Sequence, residues 1–219
     1  MDGEKRPSPS CVKCAAMVCR FGIKEGTPAF CPTVNKKAKP REGRAGLANV
    51  EIMRAAREAS RVEGAGCRRW TRAQEVMGFA RRLEAKKIGV AFCIGLRNEA
   101  RLFADILEAN GFEVVSVCCK VGDEHKQDLG LKDCENVVPG AYEAYCNPIA
   151  QALILDAEGG GLNVLVGLCV GHDSLFIKHA KALTTVLVAE DRVTGHNPAA
   201  ALYTSNSYYS RLKSRDGGI

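Results

Sequence analysis

The chain has 219 residues, 46% of them hydrophobic, and carries a formal net charge of +6. That supply of apolar residues suits one main core with a smaller appendage. No stretch approaches the roughly 18 to 20 uninterrupted apolar residues of a membrane span, and the polar start MDGEKRPSPS lacks a signal-peptide core. The expectation is a cytoplasmic protein with no membrane contact, and in that reducing compartment eleven cysteines read as metal ligands or reactive thiols, not as a disulfide framework.

The charge is concentrated at the front, where residues 1–44 hold ten Lys and Arg against four Asp and Glu. Two readings follow. The basic segment can be a nucleic-acid surface, or it can neutralise a metal bound by thiolates, which adds about two negative charges. With only Phe21 and Phe30 as stacking aromatics, the second reading is preferred and nucleic acid is not the expected partner.

Taken in order, residues 1–10 have the composition of a tail. Cys11, Cys14, Cys19 and Cys31 then follow one another at C-x2-C-x4-C-x11-C spacing, with Gly22, Gly26 and Pro28 between the last two. Such a stretch cannot build a hydrophobic core, but it can fold around one ion. Zinc and an iron–sulfur cluster are both consistent with four thiolates, and spacing does not separate them. Residues 1–45 are therefore read as a metal-binding knuckle with a basic linker over 36–44.

Residues 46–85 read as two helices. The first runs from Leu47 to about Val62; the second starts at Thr71, where Gln74 completes a capping box and Val76, Phe79, Ala80 and Leu83 form one apolar face. Cys67 and Trp70 fall between them as packing residues. From Lys86 the pattern alternates: strand Ile88–Phe92, a helix from about Asn98 to Asn110-Gly111, and strand Glu113–Val117. A long polar loop containing Cys134 follows, then a helix opened by Cys146-Asn147-Pro148 and stopped by Gly159 to Gly161. The run Leu162–Leu168 has the density of a strand buried on both faces. Gly171 breaks it, Asp173 or Ser174 can cap a helix opening with Leu175, Thr185–Ala189 is a fourth strand, and His196-Asn197-Pro198 starts a last helix. Residues 86–205 thus form an α/β domain with a doubly wound, flavodoxin- or Rossmann-like parallel sheet whose first and third strands are neighbours, and 206–219 form a tail.

In such a sheet, ligands bind beyond the carboxyl ends of the strands. Cys93, Cys118, Cys119 and Cys169 all close strands, and Cys146 precedes a helix that starts at the same edge. Side chains alternate along a strand, so one of Cys118 and Cys119 is expected to face the site. Helix amino termini after Cys93, Cys146 and Cys169 favour thiolates, which makes a second metal site or a reactive thiol group the functional expectation. His172 and His196 are candidate partners, with a capping role as the alternative for each, while His125 and His179 look solvent-facing. Asp123, Glu190 and Asp191 lie on neighbouring loops without distinction. No G-x-G-x-x-G follows the first strand, and no Walker loop or serine elbow occurs.

The segments AFCIGLRNEA, ILEANGFEVVSVCCKVG, CNPIAQA, GLCVGHDSLF and VTGHNPAAALY, with the amino-terminal C-x2-C-x4-C, resemble a family of uncharacterised prokaryotic proteins labelled metal-binding. The resemblance runs from Cys11 to about Tyr203. It implies a cysteine knuckle joined to an α/β domain and metal binding at Cys11, Cys14, Cys19 and Cys31, without a reaction to carry over. Cys67 and Cys134 lie outside its motifs. The resulting expectation is a metal-binding protein, zinc or iron–sulfur, with a second site at Cys93, Cys118, Cys119, Cys146, Cys169 and His172 in a redox or sulfur-handling role. A zinc-knuckle module for nucleic acid or a small ligand, and a soft-metal handling protein, are the alternatives.

Overall fold

Four apolar runs pair into a single parallel sheet. A computed structural model describes residues 7–23, 25–35 and 38–218; the chain falls into two units, Met1–Ala59 and Ser60–Ile219.

In the first unit, two 3-10 turns at Cys11–Lys13 and Val18–Phe21 precede α1 (Pro32–Asn35), α2 (Ala38–Gly46) and the start of α3 (Val50–Gly66). The Cys14 amide donates to the Cys11 carbonyl (3.0 Å) and the Gly22 amide to that of Cys19 (3.1 Å), so each cysteine-bearing turn closes locally. Cys31 is buried, whereas Val12, Met17 and Phe21 are exposed. The expected basic linker is instead largely helical over Ala38–Gly46; Lys39 pairs with Glu42 one turn on (2.7 Å), and Pro40 falls in the first turn, where its missing N–H costs nothing. Residues 36 and 37 lie outside the described residues.

The second unit begins within α3 and continues through α4 (Arg72–Arg82), β1 (Lys87–Phe92), α5 (Arg97–Ala109), β2 (Glu113–Cys118), α6 (Pro148–Ala157), β3 (Leu162–Val166), α7 (His172–His179), β4 (Thr184–Val188) and α8 (Pro198–Tyr203). The capping box is present, with the Gln74 amide donating to Thr71 Oγ1 (3.4 Å) and the Thr71 amide to Gln74 Oε1 (2.8 Å). Asn147 caps α6 by accepting from the Ala150 amide at 2.9 Å. The sheet order is β2-β1-β3-β4, with every pairing parallel, so β1 and β3 are neighbours as expected. Every residue of β3 is buried. Around it pack Val76, Met77 and Ala80 of α4, Phe103 and Leu107 of α5, Ala152 and Leu155 of α6, and the fully buried Phe176 of α7. Burying a side chain of that size stabilises by about 1.5–3 kcal/mol.

The first long helix is shifted along the chain from the expected Leu47 to about Val62, and two boundaries next to the sheet edge also differ. β3 ends at Val166 because Gly167 adopts φ +67, and a Cβ there would lie 2.5 Å from the Leu96 side chain, so only glycine fits the turn. The helix after it opens at His172, not Leu175. Asp173 therefore lies inside its first turn, where Oδ1 accepts from the Gly171 (3.0 Å) and Ser174 (2.7 Å) amides. The segment between β2 and α6 is a folded wall: Lys126 N–H donates to Glu143 O (3.0 Å), Tyr145 N–H to Glu124 O (3.0 Å), and His125 and Ala144 form an antiparallel bridge.

A thiol cluster at the carboxyl edge of the sheet

Backbone hydrogen bonds continue past the ends of the strands and set the site residues side by side. Cys93 N–H donates to Val166 O (3.1 Å), Cys119 N–H to Phe92 O (2.9 Å), and Asn147 N–H to Cys119 O (2.8 Å). The residues following β1 and β2 and the start of α6 are thereby laced to one edge. Gln151, fully buried on α6, tightens it by donating from Nε2 to the Val117 (2.7 Å) and Phe92 (3.3 Å) carbonyls.

The side chains meet there as a chain of hydrogen-bonding contacts. Cys169 touches Cys93, Cys93 touches Cys119, Cys119 touches Cys146, and Cys146 touches His172. The turn opening α5 adds amide donors, Ile94 N–H to Cys119 Sγ (3.4 Å) and Gly95 N–H to Cys93. Arg192, two residues beyond Glu190, places Nη2 3.9 Å from Cys93 Sγ while its Nε pairs with Glu190 at 3.0 Å.

These contacts sort the thiols by charge. The bond with Cys119, the Gly95 amide and the Arg192 guanidinium hold Cys93 down at about 5, against burial and the nearby Cys146 charge. Bonds with Cys119 and His172 and the Lys120 charge hold Cys146 at about 4, again against burial. Cys119, bonded to both and buried, is pushed far above the thiol range and keeps its proton. Burial, reinforced by the charges of Cys93 and Glu190, raises Cys169 to about 11. The bond to Cys146 raises the His172 imidazole against the opposing effect of burial. A single Cys119 proton cannot be donated to two sulfurs at once, so Cys93 and Cys146 share it, and Cys146 has the imidazole as a second partner.

Of the residues expected at this edge, Cys93, Cys119, Cys146, Cys169 and His172 come together. Cys118 does not; it packs against the hydrophobic core, as strand alternation requires once Cys119 faces the site. His196 lies outside the cluster, its Nδ1 accepting from the Asp191 amide (3.2 Å). Asp123 accepts from the Tyr142 hydroxyl (3.3 Å), and Cys67 and Cys134 are exposed. His179 is exposed, but His125 is half-buried and packs against Tyr142 with ring centroids 4.7 Å apart. Lys120 and Arg192 also reach this edge, although nothing in the sequence singles them out. The rule that gathered the cysteines also applies to them, since Lys120 directly follows Cys119 and Arg192 lies just beyond β4.

Three thiols and an imidazole are the donor chemistry of a soft ion, and Cys93, Cys119, Cys146 and His172 could hold one. Among the described residues, no three His, Cys, Asp or Glu groups are arranged to grip a metal. In the amino-terminal unit Cys11 and Cys19 are exposed, Cys14 is half-buried and Cys31 is buried. A cavity of about 640 Å³ opens at the cluster, lined by Cys93, Cys146, Cys169 and His172 and by residues of the 120–145 segment. All eleven cysteines are free thiols. No helix among the described residues is long and apolar enough to cross a membrane.

The model of a family described as a protein of unknown function (DUF1847) matches residues 31–187. A protein of Methanocaldococcus jannaschii described as uncharacterised is 46% identical over 159 residues, which is 73% of this chain and 79% of the relative. No solved structure matches.

Proposed function

We propose, for a chain that belongs to the DUF1847 family of proteins of unknown function, a thiol-based role in handling sulfur or redox equivalents at the carboxyl edge of the sheet. The observation that carries this reading is Cys146, which lines the cavity while touching both Cys119 and His172. Cys146 is the thiolate that meets a soft electrophile. Cys119 holds the proton that stabilises it and is the neighbouring thiol able to resolve an adduct. His172 is the proton donor for a leaving group, and Cys93, steadied by Arg192, is a second thiolate. The strand order suits a doubly wound sheet whose winding reverses between β1 and β3, the crevice where such sheets take ligands. The family match also encloses Cys93, Cys119, Cys146, Cys169 and His172, whereas Cys11, Cys14 and Cys19 precede it. A reducing cytoplasm is the setting in which these thiols stay available.

The test is alkylation by iodoacetamide across a pH series, with each cysteine followed by peptide mass spectrometry. Cys146 should react at pH 5 to 6, ahead of the more exposed Cys67 and Cys134. Labelling of Cys146 that begins only near pH 8, together with the exposed thiols, rejects the proposal.

A second reading concerns the amino-terminal unit, where Val12, Met17 and Phe21 are exposed and Cys31 is buried. A unit with so little apolar interior, and four thiols at C-x2-C-x4-C-x11-C spacing, fits zinc or an iron–sulfur cluster held by Cys11, Cys14, Cys19 and Cys31. Zinc would supply a structural crosslink there, and a cluster a one-electron relay. Anaerobic metal and sulfide analysis decides between them: broad visible absorbance indicates a cluster, and colourless protein with stoichiometric zinc a structural ion. Cys14→Ala should lose the metal in either case, and retention of full metal content by that variant removes the knuckle.

A further inference from the structure

The cavity over the thiol cluster has a chemical bias of its own. At about 640 Å³ it falls in the range of sites for organic small molecules and is roomy for a bare inorganic sulfur species. Leu129, Leu131, Val137 and Val138 add apolar surface to its lining. Three cations line it, but two are occupied: Lys126 pairs with Glu143 at 2.6 Å and Arg192 with Glu190 at 3.0 Å. Lys120 makes no salt bridge among the described residues; its ammonium donates to the Ala144 carbonyl, and its charge acts on the Cys146 thiol and on the Glu143 carboxylate. Finally, the Nδ1 of His172 is buried without a hydrogen-bond partner. The site therefore offers a soft nucleophile, a cation without a salt-bridge partner among the described residues, an imidazole and an apolar lining.

We propose that this cavity binds the persulfide of a low-molecular-weight thiol carrying a carboxylate, with the carboxylate on Lys120 and the outer sulfur against Cys146. The proposal rests on the thiolate reading of Cys146 given above. In the step it implies, the Cys146 thiolate attacks the outer sulfur of R–S–SH. A new sulfur–sulfur bond forms to Cys146 as the donor's own breaks. The electron pair leaves on R–S⁻, which takes a proton from the His172 imidazolium. The products are Cys146–S–SH, R–SH and neutral His172, so atoms and charge balance and no external oxidant or reductant is consumed. Lys120 is the specificity-determining residue, because a buried or half-buried cation discriminates between a carboxylate and a neutral group of the same shape.

The experiment uses the full-length protein under anaerobic conditions with two matched probes, N-acetylcysteine persulfide and the persulfide of its neutral carboxamide. The rate at which Cys146 gains one sulfur is read by peptide mass spectrometry. The carboxylate probe should react about five- to tenfold faster. Lys120→Met should bring the ratio close to unity, and Lys120→Arg should preserve it. The ratio cancels any change that either variant makes in the thiolate itself. Equal rates in the wild-type protein, a preference that survives Lys120→Met, or sulfur arriving on Cys134 before Cys146 each overturn the proposal. Iodoacetamide labelling of the same samples separates the two levels. A reactive Cys146 thiolate with no preference between probes removes the ligand assignment alone, whereas an unreactive Cys146 removes the thiolate reading with it.

Discussion

Cys146 hydrogen-bonds with the His172 imidazole, so the residue just before the cap of α6 meets the first residue of α7 across the sheet edge. The contact works in both directions, lowering the thiol and raising the imidazole. His172→Gln keeps a polar side chain but removes the titrating partner and its charge. Cys119 and Lys120 remain, so the Cys146 thiol should move up from about 4 while staying below an ordinary thiol. The measurement is the alkylation profile of Cys146: its midpoint shifts to higher pH, and labelling at pH 5 drops several-fold. An unmoved midpoint would mean that Cys119 and Lys120 alone hold the thiolate.

The same shifts dictate how stability varies with pH. Cys93 and Cys146, held at about 5 and 4 in the fold against 9.0 for a free thiol, contribute stability that is complete above the unfolded value and lost as pH falls through 5 and 4. Cys169, raised to about 11, acts oppositely; its contribution is complete below 9.0 and lost as pH rises through 11. His172, raised above 6.5, gives a smaller contribution of that second kind, complete below 6.5 and lost as pH climbs through its folded value. Anaerobic urea unfolding should therefore show a midpoint that rises from pH 5 toward 9 and declines beyond it. Cys146→Ser should flatten the rising limb. A midpoint that is level from pH 5 to 9 in the wild-type protein contradicts the charge assignment.

Much of this edge is legible in the chain itself, for a reason particular to parallel sheets. When every strand runs the same way, the residue after each strand arrives at the same edge, so Cys93, Cys119 and Cys169 could be grouped before any contact was known. Asn147-Pro148 and Thr71-x-x-Gln74 marked helix starts because capping is local chemistry. What escaped depends on long-range geometry. Gly167 ends β3 two residues early, through a φ of +67 in a turn where Leu96 occupies the space a Cβ would need. The 120–145 segment reads as a polar loop, yet its antiparallel bridge and the Lys126–Glu143 pair make it a cavity wall. Lys120 and Arg192 carry no signal in the sequence, because cations are common on any surface; what distinguishes them is the sulfur beside each.

Close packing at the opposite end of the sheet gives a prediction about stability alone. Gly89 on β1 lies against β3, and a Cβ there would fall 2.3 Å from Asn163 Oδ1 and 3.1 Å from Leu155 Cδ1. Asn163 and Leu155 are essentially fully buried, so neither can swing aside into solvent. Gly89→Ala should cost about 1–3 kcal/mol, the usual range for overpacking a core. Chemical denaturation measures it, and a loss below about 0.5 kcal/mol would mean the strands separate more readily than this packing allows. Because Gly89 sits far along β1 from Cys93, the alkylation profile of Cys146 in the folded variant should not change.

Gln151 ties stability to the site. Its amide donates to the Val117 and Phe92 carbonyls at the ends of β2 and β1, and the Phe92 carbonyl also accepts from Cys119 N–H, the bond that positions the central thiol. Gln151→Leu keeps the volume of a fully buried side chain but removes the donor. The Val117 carbonyl then loses its side-chain partner in the interior, at a cost of about 1–3 kcal/mol. Relaxation of the two strand ends should loosen the Cys119 contacts, so Cys93 and Cys146 should both titrate at higher pH than in the wild-type protein. Gln151→Glu makes the complementary case, since an acid forced between two carbonyls must stay protonated to donate, and its stability should fall as pH rises. If Gln151→Leu unfolds at a lower urea concentration yet leaves both thiol profiles where they were, Gln151 supports the fold without positioning the thiols.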